Sequence, residues 1–177
     1  MRALHLSRML KTSHLKSQHD EILAMAERTL DLIDAYRGVD AEAFRISVQL
    51  ARLFGLLRIH LMHEDTQFYP WLATCGDAEA ERLSHVYFTE MGQLAPQLEQ
   101  FAQRWSLSSV IETNFEQFRV HARALIATIE LRIERENGFL YPVADQVAEE
   151  QLNRATPAPP QPLGSAPPIF PPQALRA

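Results

Sequence analysis

Two short segments of this chain repeat each other in the residue types that matter for chemistry. His60-Leu61-Met62-His63-Glu64 runs on to Phe68-Tyr69-Pro70, and Arg132-Ile133-Glu134-Arg135-Glu136 runs on to Leu140-Tyr141-Pro142. On a helix, residues i and i+4 stand one above the other. His60 therefore points with Glu64, and Arg132 with Glu136. Imidazole and carboxylate groups together can ligate a metal ion, and a guanidinium can close carboxylates into an ion-pair network. Each copy ends on a proline, where a helix should be closing.

Which chemistry applies depends on what these side chains face, and the apolar residues around them indicate the interior. One stripe at three- and four-residue spacing reads Ile46, Leu50, Leu53, Leu57, then Phe68 and Trp71, with His60 and Glu64 filling the gap in register. Another reads Phe115, Phe118, Ala122, Leu125, Ile129, then Phe139 and Val143, with Arg132 and Glu136 in the gap. Glu90 interrupts Leu83, Tyr87, Leu94, Leu98 and Phe101, and His19 interrupts Leu15, Ile22, Ala26, Leu30 and Ile33.

An ionised carboxylate alone in an apolar interior is costly, so three at one level need positive charge among them. A metal ion held by His19, His60, Glu64 and Glu136, with Glu90 as a fifth ligand, supplies it. The alternative is a metal-free network in which Arg132 forks to Glu64 or Glu136 and fixes helix register. In that case His19 is a core histidine, and Glu90 turns to solvent or pairs with Arg132. Charge counting gives −3 for the three glutamates and +1 for Arg132, leaving a deficit that one divalent ion fills with both imidazoles neutral. Tyr69 and Tyr141 are placed to hydrogen-bond the carboxylates from behind.

The remaining candidates read as ordinary. His63, His85, His5 and His14 are expected at the surface, and His121 in the core or at its rim. Cys75 is expected to be a free thiol, and Phe115, Phe118 and Phe139 to be core packing.

Four helices must carry these groups. Periodicity places them at about residues 6–36, 40–74, 76–105 and 111–150, with Gly38 closing the first and Pro96 bending the third. Long helices with short connections imply an all-α, up-down-up-down four-helix bundle over residues 1–150. Eight of the eleven prolines lie beyond Ala155, so residues 151–177 are expected to be a disordered Pro-rich tail. A net charge of −5 argues against nucleic acid as a partner. The single Cys75 excludes an internal disulfide and fits a reducing compartment. There is neither an apolar run of about 18 residues nor a signal-like N-terminus, so a cytoplasmic location without a membrane partner is expected.

Taken together, His19 followed by Ile22, His60-x-x-x-Glu64-Asp65 ending in Tyr69-Pro70, and Glu136 ahead of Leu140-Tyr141-Pro142 resemble the hemerythrin-like (HHE cation-binding) family over about residues 8–148. That resemblance implies a non-haem iron site of histidines and bridging carboxylates. It further implies one or two iron ions, or another divalent metal or none, and a response to O2, NO or redox state. Arg132 stands where the repeat frame would carry a histidine, the third helix has no inward histidine, and doubled histidines are missing, which implies a reduced-ligand branch. A ferritin-like oxidase would need Glu-x-x-His on two helices, and no inward stripe carries it. A metal-free regulatory bundle acting through a protein partner is the alternative.

Overall fold

The computed structural model describes residues 12–92 and 94–155. Of the tail expected over residues 151–177, residues 151–155 instead continue the last helix, and the segment beyond Ala155 lies outside the described residues. Helix α1 (Ser13–Asp34) buries Leu15, Ile22, Ala26 and Ile33 at the spacing the sequence predicts. Its start is pinned by Asp145, which accepts from the Thr12 N–H at 3.0 Å and the Thr12 hydroxyl at 2.8 Å. Gly38, at φ +87°, takes the left-handed backbone that reverses the chain. Helix α2 (Asp40–His63) then returns, with Asp40 and Glu42 set against the positive end of its dipole.

At Glu64 the α-helical register gives way to one π-helical turn, Glu64–Phe68, ahead of α3 (Tyr69–Leu72). The Tyr69 N–H reaches back to the Glu64 carbonyl, five residues away. The second repeat does the same. After α7 (Phe115–Arg135) comes a π turn, Glu136–Leu140, closed by the Tyr141 N–H on the Glu136 carbonyl, and then α8 (Tyr141–Ala155). Pro70 and Pro142 account for this. A proline ring inside a helix collides with the carbonyl four residues back, and a wider preceding turn gives the ring room.

The wide turns move the buried face. After Glu136 the core receives Leu140 and Ala144 instead of the expected Phe139 and Val143: Phe139 is 66% exposed and Val143 half-buried. On the other rod Leu72 replaces the expected Trp71 as the fully buried residue.

The third rod also differs in detail from the sequence reading. Helix α4 (Ala78–Met91) is capped by Asp77, which accepts from the Ala80 N–H at 2.9 Å. The rod breaks between Met91 and Leu94, not at Pro96. Pro96 lies in the first turn of α5 (Leu94–Arg104), where no N–H partner is needed. The fourth rod begins with a separate short helix, α6 (Ser108–Thr113), divided from α7 at Asn114.

These elements form an all-α bundle, with no strand among the described residues. Helix α1 packs on α2 and α7, α2 on α5 and α6, and α4 on α8 and the second π turn. The core falls into two apolar clusters. One holds Ile22, Ile46, Leu53, Phe118 and Ile129 among others; the second holds Leu15, Phe68, Leu72, Leu140 and Tyr141. Along every rod that contributes to it, a polar layer separates the two. No helix among the described residues is long and apolar enough to cross a membrane.

Candidate metal site

The polar layer consists of His19 on α1, His60 near the end of α2, Glu64 opening the first π turn, Arg132 on α7 and Glu136 opening the second π turn. None of the five is more than 5% exposed. One ligand atom from each of His19, His60, Glu64 and Glu136 lies within 4.8 Å of all the others. The sequence places these four on three stripes, and the fold brings them to a common point.

Both imidazoles are oriented from outside this point. His60 Nδ1 lies 3.1 Å from Gln18 Oε1, and His19 Nδ1 lies 2.9 Å from Asn137 Oδ1. The Gln18 amide is turned this way because its NH2 faces His14 Nε2 at 3.2 Å and His63 Nδ1 at 3.5 Å. An amide oxygen only accepts, so each Nδ1 carries the hydrogen and each Nε2, in the neutral ring, is a lone pair. The two Nε2 atoms nevertheless face each other at 2.9 Å. Burial, with His19 and Arg132 nearby, pushes the His60 pKa down to about 2, so this ring is neutral.

The carboxylates are shared between the two repeats. Tyr141 donates to Glu64 Oε1 at 2.7 Å, and Tyr69 donates to Glu136 Oε1 at 3.0 Å, so each tyrosine serves the other rod's glutamate. Arg132 contacts both acids, with Nη2 2.6 Å from Glu64 Oε2 and Nε 2.8 Å from Glu136 Oε1. Burial opposes the guanidinium charge, but Glu136 and Glu64 outweigh it and hold Arg132 firmly protonated. Burial and the neighbouring Glu136 push the Glu64 carboxyl up to about 7, against the pull of Arg132 and Tyr141. Burial and the same carboxylates keep Tyr69 and Tyr141 neutral.

On the imidazole side the Tyr141 hydroxyl lies 3.4 Å from His19 Nε2. Glu136 Oε2 is buried with no hydrogen-bond partner, 3.3 Å from His19 Nε2, and Glu64 Oε2 is 3.4 Å from His60 Nε2. Four potential ligand atoms thus converge. Ligands bound at about 2.1 Å to one ion stand roughly 3–4 Å apart, and these distances match that spacing. Two imidazoles and two carboxylates form a donor set suited to iron, manganese or zinc. The residues fit a metal ion.

A family model for the hemerythrin HHE cation-binding domain matches residues 10–144. The chain belongs to this family. No curated protein and no solved structure matches the chain.

Glu90 belongs to α4, but its side chain lies outside the described residues. His63, expected to face solvent, is half-buried beside Gln18, while His14 and His85 are exposed. His121 packs its edge on Trp105. Cys75 is a half-buried free thiol whose pKa burial raises. The sequence reading missed Gln18 and Asn137, which orient the imidazoles. Their only sequence signal is a side-chain amide adjacent to an inward His or Glu.

Proposed function

We propose that this hemerythrin-domain bundle is a non-haem iron protein that binds or senses O2, NO or redox state. In this reading His19, His60, Glu64 and Glu136 are the ligands. The observation that carries it is the pair of imidazole Nε2 atoms 2.9 Å apart, flanked by a buried carboxylate oxygen without a hydrogen-bond partner. An arrangement of acceptors alone is repulsive unless a cation stands among them.

The protein's own groups do four things here. Gln18 and Asn137 hold the rings in the ligating tautomer. Tyr69 and Tyr141 fix the outer carboxylate oxygens, leaving the inner ones to face the ion. Arg132 offsets part of the acidic charge. The surrounding apolar clusters exclude water, and the near-complete burial of all four donors favours a diatomic ligand over a larger one. Iron, when bound, supplies a change of oxidation state and a coordination position for such a ligand.

A metal-free network is favoured by one observation, the Arg132 ion pairs at 2.6 and 2.8 Å. It accounts for the facing imidazoles only with a proton held between the two Nε2 atoms. Elemental analysis of protein expressed in iron-supplemented medium, with anaerobic absorption spectra before and after NO, decides between them. The expected result is stoichiometric iron, a spectrum that changes with NO, and loss of both in Glu136→Ala and His19→Ala. Trace metal only, or iron retained in both variants, would sink the assignment.

A further inference from the structure

We propose that Arg132 is a tethered cation occupying the second of two equivalent cation positions, so that, resting on the metal reading above, this site takes a single metal ion. Three observations support it.

The site is built from two halves of one pattern. His60, Glu64 and Tyr69-Pro70 on one rod correspond to Arg132, Glu136 and Tyr141-Pro142 on the other, and a π turn begins at each glutamate. The tyrosine hydrogen bonds are exchanged between the halves. Arg132 therefore stands to Glu136 as His60 stands to Glu64, one helical turn away on the same face.

Both carboxylates look toward both halves. Glu64 Oε2 is 3.4 Å from His60 Nε2 and 2.6 Å from Arg132 Nη2. Glu136 presents Oε2 to His19 Nε2 at 3.3 Å and Oε1 to Arg132 Nε at 2.8 Å. Groups that bridge in this way serve two positive centres, and the guanidinium already is one of them.

The two centres are chemically exclusive. Histidine brings a lone pair and recruits an ion, whereas guanidinium has no lone pair to offer and carries a permanent charge. A second ion at the Arg132 position would lose a ligand and face that charge at close range in a dry interior, where Coulomb repulsion is poorly screened. Glu64 and Glu136 less Arg132 leave one net negative charge, which a single divalent ion already more than cancels.

Native mass spectrometry of the full chain loaded with Fe(II) or Zn(II) counts the ions. The parent should hold a single ion, Arg132→Lys should also hold a single ion, and Arg132→His should hold two. A parent with two ions, or Arg132→His remaining at one, overturns the proposal while leaving the metal site in place. A parent with none overturns the metal site itself. Should Arg132→His fail to fold, the ferric-loaded parent decides. A paramagnetic resonance signal of isolated high-spin iron that accounts for all the iron supports the single ion, and a silent coupled pair refutes it.

Discussion

Without a metal, the charges at His60 and Glu64 are inverted from their usual state. In the unfolded chain, between about pH 4.5 and 6.5, His60 carries a proton and Glu64 does not. Folding pushes the Glu64 pKa up to about 7 and the His60 pKa down to about 2, so the proton sits on Glu64. Within that window folding transfers a proton with no net uptake, and the pair contributes no pH dependence. Below about 4.5 the unfolded chain protonates both groups and the folded chain one, so stability falls as pH falls. From about 6.5 to 7 the folded chain alone retains a proton, so stability falls as pH rises and then levels off. Urea midpoints in chelator, followed from about pH 4 to 8, should show a plateau with losses on both sides. Added metal should remove the loss on the alkaline side, because the ion takes the proton's place beside an ionised Glu64. A midpoint that climbs steadily through the plateau means that Glu64 stays ionised in the empty fold. The inward direction of His60, Glu64, Arg132 and Glu136 was legible in the sequence because each fills a gap in an apolar stripe. Gln18 and Asn137 were not, because their contacts depend on rotamers and on distant rods.

At the scale of elements, the matched π turns aim the site. Each opens at a buried glutamate of the polar layer and is closed by the tyrosine that serves the other rod. Deleting Gly138 should return the second turn to α-helical register with α8 kept in its present rotation, because four α-helical steps turn the chain about as far as five π-helical ones. Tyr141 would then still stand over Glu136, and metal content should hold. Loss of metal from the shortened chain would show that the wide turn itself sets Tyr141. The sequence located these turns as a repeat ending in Tyr-Pro but did not show their width, since apolar spacings of three and four both fit. That ambiguity is why Phe139 was expected in the core where Leu140 lies. The break before Leu94 was hidden for a related reason. Pro96 looked like the interruption, yet a proline in a first turn is compatible with a helix start.

Over the whole molecule, the polar layer divides the apolar interior into two parts. Phe118 is fully buried in the part that includes Trp105 and Phe101, away from the tyrosines that hold the glutamates. Phe118→Ala should cost about 3–5 kcal/mol in denaturant unfolding while the folded fraction keeps its full metal complement. Loss of metal from folded Phe118→Ala protein would show that the two parts are coupled.

The facing Nε2 atoms of His19 and His60 have a consequence for the life of the chain if the proposed ion binds between them. Such an ion would find its donors assembled at the waist of the folded form alone. At a hundredfold excess over its dissociation constant it adds about 2.7 kcal/mol, enough to change how much of the chain escapes proteolysis. The protein's abundance would then serve as a gauge of free metal.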